Sequence, residues 1–95
     1  MEATLAFRQK YELDDGAIVE MVIWSVPHAV AGSDHGFKYR LYHGKDGRRI
    51  VGYDNERGKG DHRHSHGRER SYRFVSPEQL IADFLADVDG SREKR

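Results

Sequence analysis

The chain contains no cysteine. That excludes a disulfide framework and a thiolate zinc site, and it fits a reducing compartment, so a cytoplasmic protein is expected. No apolar run approaches the ~20 residues of a membrane span, so no membrane partner is expected. Met1 to Arg8 has neither a basic n-region nor an apolar h-region, so no signal peptide is expected. Net charge is zero, with sixteen basic and sixteen acidic residues. There is no internal repeat and no low-complexity segment. A length of 95 residues fits one domain. Its core can be only thin, and dimerisation or a bound partner would add burial.

The charge is unevenly spread. Met1 to Gly36 holds two basic and six acidic residues, Phe37 to Arg73 eleven and five, and Phe74 to Arg95 three and five. A cationic block of net +6 is thus flanked by acidic ends. Such a block points to an anionic ligand, with an ordinary solvated face as the bland alternative.

The first half alternates with the period of strands. Leu5, Phe7, Tyr11 and Leu13 predict a strand with one buried face, and Asp14-Asp15-Gly16 a turn. Ala17–Val26 is apolar on both faces and reads as a central or doubly covered strand, stopped by Pro27. Trp24 and Tyr11 are expected in the core. Strands are also predicted at Phe37–Tyr42, Arg49–Asp54 and Ser71–Val75, with a polar loop over Asn55–Arg70. Ser76-Pro77-Glu78-Gln79 is a capping box, Leu80, Ile81, Phe84, Leu85 and Val88 form a helical stripe, and Gly90 is the stop. The expected architecture is α+β: a curved antiparallel sheet of about five strands with one C-terminal helix packed on it. The expected domain is 1–90, with a C-terminal tail at 91–95.

The chemistry concentrates between Tyr53 and His66, a run that prefers water or polar partners. His62, His64 and His66 alternate. On a strand they would share one face, with Asp61, Arg63 and Ser65 on the other. Imidazoles both take and give protons near neutrality, and they can also bind transition metals. Gly58-Lys59-Gly60 suggests a phosphate loop. It is not a Walker motif, because Gly52 and Gly58 are too far apart and Gly60 follows Lys59. Lys38, Arg40 and Tyr42 share one parity, with Arg49 on the next strand and Arg57 in the polar run. Cations beside an aromatic on a sheet can track a phosphate backbone and stack a base. Ser65 has no nucleophile-elbow context.

From Ala3 to Val88 the chain resembles the TumE family of prokaryotic toxin components. The matching residues are Leu13-Asp14-Asp15-Gly16, Val19–Trp24, Tyr39-Arg40-Leu41, Gly52-Tyr53-Asp54-Asn55, Gly58-Lys59-Gly60-Asp61-His62-Arg63-His64 and Tyr72-Arg73-Phe74. His66 lies just past that pattern. The resemblance implies a cytoplasmic toxin neutralised by a helix-turn-helix antitoxin from a neighbouring gene; with so thin a core, a homodimer or a toxin–antitoxin hetero-oligomer is the expected assembly.

The first expectation is a metal-independent endoribonuclease with no cofactor. His62 and His64 would be base and acid, Lys59 and Arg63 would hold the phosphate, and Asp61 or Asp54 would orient an imidazole. Lys38, Arg40, Arg49, Tyr42 and Arg57 would bind the RNA. The rivals are a non-catalytic module binding nucleic acid or antitoxin, and a metal-dependent enzyme using the histidine run.

Overall fold

The computed structural model describes residues 2–93. Six strands precede one helix: β1 (Thr4–Glu12), β2 (Ile18–Ser25), β3 (Phe37–Lys45), β4 (Arg48–Asp54), β5 (His62–Ser65), β6 (Arg68–Ser71) and α1 (Pro77–Glu93). The strands pair antiparallel in chain order, one meander with β1 and β6 at its edges. The expected α+β architecture is the one found, with six strands rather than about five.

The additional pairing comes from the polar run. His62–Ser65 pairs with β4 and then turns back through His66 and Gly67. Both turn residues have positive φ, 56° and 74°, as a two-residue type I′ hairpin requires. The strand expected at Ser71–Val75 does not form beyond Ser71. There the chain leaves the sheet for side-chain packing: Tyr72 meets Tyr53 edge-on at 5.0 Å and Phe74 stacks on His35 at 3.8 Å. The apolar alternation at 71–75 reflects those contacts rather than a ladder.

Strand alternation gives the sheet two faces. Val19, Met21 and Ile23 of β2, Tyr39 and Leu41 of β3, and Val51 and Tyr53 of β4 are buried against Leu80, Phe84 and Val88 of α1. Register assigns Arg8, Lys10, Glu20, Val22, Trp24, Lys38, Arg40, Tyr42, Gly52, Asp54, His62 and His64 to the opposite face. Among the described residues no helix packs on that face. β2 is therefore covered on one side only. Trp24, expected in the core, lies on the open face and is 38% exposed. Leu5 joins it because the register shifts between Leu5 and Phe7. A bulge there inserts one residue and reverses the facing of everything before it. Tyr11 does pack, half-buried, against the core.

The helix starts where its cap predicts. The Gln79 N–H donates to Ser76 Oγ at 3.0 Å. The reciprocal half of the capping box is not made, because Gln79 Nε2 donates forward to Asp83 at 2.7 Å. The helix also continues through Gly90 to Glu93. The tail expected from Ser91 is thus helical as far as Glu93, and Lys94 and Arg95 lie outside the described residues.

Candidate functional site

Antiparallel register sets two rows of polar side chains side by side on the open face. One row runs Arg40, Asp54, His62 across β3, β4 and β5. The next runs Tyr42, Gly52, His64, Glu69 from β3 to β6. Neighbours within a row are about 5 Å apart, and the rows are about 7 Å apart, from strand spacing and rise. A cation, two carboxylates, a tyrosine and two imidazoles thus occupy one patch. His62 and His64 are half-buried, and the Nδ1 of each is buried without a hydrogen-bond partner. A buried polar atom without a partner in a native fold is uncommon and calls for a reason.

Two glycines keep the patch low. A Cβ on Gly44 would sit within van der Waals radii of the Tyr42 hydroxyl and 2.6 Å from the Arg48 carbonyl oxygen. A Cβ on Gly52 would lie 2.8 Å from Arg49 Cδ. Tyr42 and Arg49 therefore lie along the sheet surface over positions that only glycine leaves free. The Arg40 guanidinium sits 5.3 Å from the Tyr42 ring centre, close enough for a cation–π contact. Lys38 and Arg57 line a hollow of about 310 Å³ beside Ala29–Ala31. The five residues expected to bind nucleic acid thus lie on this face or beside Lys38 at its rim.

The other three candidates lie elsewhere. Arg63 points to the helix side, where its Nε and Nη2 donate to Asp87 at 2.8 and 2.7 Å. That pairing raises the arginine's pKa further. Asp87 also accepts from the Tyr53 hydroxyl at 2.6 Å, so α1, β4 and β5 are tied at one carboxylate. Burial and this bond push the Tyr53 hydroxyl far above its ordinary range.

Asp61 also faces the helix side. It orients an imidazole, but that of His35 rather than of His62 or His64. His35 Nδ1 accepts from the Phe37 N–H, so in the neutral ring Nε2 carries the proton and donates to Asp61 at 2.8 Å. Asp61 also accepts from Ser33 Oγ at 2.5 Å and from the Tyr39 hydroxyl at 2.6 Å. Burial alone would raise the Asp61 carboxyl. The bonds from Ser33, Tyr39 and His35 outweigh it and hold the pKa below its ordinary value. Ser33, His35 and Asp61 have the residue types of a hydrolytic triad. Ser33 donates to Asp61, however, and both His35 nitrogens are engaged, so the imidazole cannot take the serine proton. The group is a clamp. It joins the loop before β3 to the loop before β5, reinforced by Asn55, which accepts from Tyr39 N–H and donates to Phe37 carbonyl.

Lys59 stands at the rim of a cleft of about 650 Å³ whose lining includes Ser33, Asp61, Tyr72, Arg73 and Phe74. Its ammonium lies 3.8 Å from Glu56. Gly58 and Gly60 both have positive φ. Gly60 also packs backbone to backbone on Gly32, where a Cβ would lie 2.6 Å from the Gly60 nitrogen. Gly60 therefore serves close loop packing, while Gly58, where an added Cβ would meet nothing, serves the positive φ of its turn. His66 is at the exposed hairpin turn, away from the His62 and His64 rows.

Sequence reasoning missed Ser33, His35, Asp83 and Asp87. The spacing of Asp83 and Asp87, one helical turn apart, was the available signal; His35 had none. Among the described residues, no three His, Asp or Glu side chains converge as a metal site, and no helix is long and apolar enough to cross a membrane.

No curated protein and no solved structure matches this chain. The family model described as Toxin TumE matches residues 2–92, nearly the whole sequence, and the chain belongs to that family.

Proposed function

We propose that this chain is the toxin of a two-gene, type II toxin–antitoxin pair and acts as an endoribonuclease on its open sheet face. The observation that carries the reading is the pair of rows Arg40–Asp54–His62 and Tyr42–Gly52–His64. Two imidazoles about 7 Å apart along β5 can flank one phosphodiester. One takes the proton of the 2′-hydroxyl, and the 2′-oxygen bonds to phosphorus as the bond to the 5′-oxygen breaks. The other, protonated, gives its proton to that 5′-oxygen. The products are a 2′,3′-cyclic phosphate and a free 5′-hydroxyl, and no metal enters the balance.

Arg40 and Arg49 meet the charge that builds on the phosphorane. Asp54, directly across from His62, orients its ring. Tyr42, Lys38 and Arg57 hold the flanking nucleotides. Arg63 and Asp61 act in this reading from the helix side, as positioning residues for β5. Lys59 attracts the strand at the rim of the cleft. The partner is an antitoxin from the adjacent gene, a helix-turn-helix protein as the family implies.

Purified protein should cleave single-stranded RNA equally with and without EDTA, leaving 2′,3′-cyclic phosphate ends. His62→Ala and His64→Ala should each lower cleavage about 10²–10⁴-fold. Full cleavage by the double variant, or cleavage abolished by chelator, would contradict the reading.

A further inference from the structure

The four large hydrophobic residues most exposed among the described residues are Leu5, Ile18, Trp24 and Val75. Three of them, Leu5, Ile18 and Trp24, belong to the open face. Trp24 is the only tryptophan in the chain. A solitary exposed leucine is ordinary, but a tryptophan left open among cations is a feature with a cause.

Its surroundings identify the ligand chemistry. Trp24 pairs with Lys38 across β3 and with Leu5 across β1. Two positions along the same face, Val22 is bracketed by Arg8 and Arg40. At this end β1, β2 and β3 contribute three cations, Arg8, Lys38 and Arg40; the nearest carboxylate on β2, Glu20, lies 4.0 Å from the Arg40 guanidinium and leaves Lys38 and Arg8 beside the indole. Lys38 continues the cationic line to Arg57 at the adjoining hollow. A flat indole bordered by ammonium and guanidinium groups is what an unpaired base and its phosphates require.

The spacing agrees with a single strand. Tyr42 pairs with Glu20, four residues from Trp24 along β2. Rise and strand spacing put the two Cα positions about 14 Å apart. That distance lets a single strand reach both rings with phosphates lying over Lys38 and Arg40.

We propose that Trp24 is a base-stacking subsite for single-stranded RNA, placed on the open face beyond the His62 and His64 rows. The inference rests on the reading of that face as the RNA surface. Leu5 sits directly across from Trp24 on β1, and the subsite is sequence-tolerant, because every base offers a π-face.

The single tryptophan reports on its own surroundings. A 2′-O-methyl oligonucleotide, which has no 2′-hydroxyl to attack, should quench Trp24 fluorescence to saturation. Anisotropy of the labelled oligonucleotide should show Trp24→Ala binding roughly 5- to 150-fold more weakly. Trp24→Phe should lose much less, and its folding can be checked independently by circular dichroism. The salt slope of binding should stay the same in Trp24→Ala, since no phosphate contact is removed, and flatten in Lys38→Ala. Oligonucleotide binding without quenching, and with unchanged affinity in Trp24→Ala, would overturn the subsite while leaving the RNA face standing. No binding by any variant would overturn both. A blue-shift of Trp24 that grows with protein concentration alone, together with a dimer mass by ultracentrifugation, would assign the patch to a second copy of the chain and overturn the proposal.

Discussion

Replacing Arg63 separates a positioning role from a catalytic one. Arg63 makes two short bonds to Asp87, whose side chain is only 13% exposed, while its own is 36% exposed. Arg63→Ala leaves that carboxylate with the Tyr53 hydroxyl as its remaining donor in this cluster. Truncating one partner of a fully buried pair costs about 3–5 kcal/mol, and a hydrogen bond to a charged group contributes about 1.5–3 kcal/mol. Arg63 is a third open to water, which screens the charge, so about 2 kcal/mol is expected. For a domain of this size that lowers Tm by about 8–16 °C. Urea or thermal unfolding reads it directly. Asp87→Asn should cost somewhat less, and the double variant should show coupling of about 1 kcal/mol or more. Cleavage measured well below the lowered Tm should fall far less than in His62→Ala. A stability change under about 0.5 kcal/mol with cleavage lost would refute the reasoning and return Arg63 to the phosphate.

Phe84, fully buried in α1, should cost about 3–5 kcal/mol as Phe84→Ala, and half-buried Leu85 about 1–2 kcal/mol as Leu85→Ala; equal, small losses in urea midpoint would mean the helix is not docked there. Gly32→Ala meets φ +97° and the Gly60 nitrogen at 2.6 Å, so about 1–3 kcal/mol of destabilisation is expected, and a neutral result would refute the tight loop packing. Burial pushes the His43 imidazole below its ordinary pKa, so near pH 6.5 the unfolded chain takes up a proton that the folded chain refuses. Stability should therefore fall as pH drops below about 6.5, and His43→Gln, which keeps a donor for the Ile18 carbonyl, should flatten the loss between pH 7.5 and 5.5; an unchanged slope would contradict it. Asp61, with its pKa lowered, gives stability present above the unfolded value of about 3.9 and lost as pH falls through the folded one, a window that Asp61→Asn should remove from acid titrations.

Local pattern made much of this molecule legible. Alternation at Val19, Met21 and Ile23 and the stripe Leu80, Phe84, Val88 marked the two halves of the core, because burial imposes a period of two or of 3.6. What stayed hidden depended on non-local partners. The bulge that turns Leu5 outward is a matter of register with β2. Apolarity on both sides of β2 suggested double cover, yet nothing in composition says whether a second layer exists, so Trp24 read as core. The alternation of His62, Arg63 and His64 correctly split imidazoles from the arginine. It could not say which face carried the helix, and so grouped Arg63 and Asp61 with the histidines. Asp61 found His35, 26 residues earlier in the chain, a pairing made only when the two loops meet.

The central claim, that the open sheet face is the RNA surface, is tested most directly by mapping an uncleavable single-stranded 2′-O-methyl oligonucleotide onto the protein by NMR. The account predicts shift changes at Lys38, Arg40, Tyr42, Asp54, His62 and His64, with Arg63, Asp61 and the buried face of α1 unmoved. Changes confined to the cleft around Lys59, Tyr72 and Arg73, with the open face silent, would contradict it.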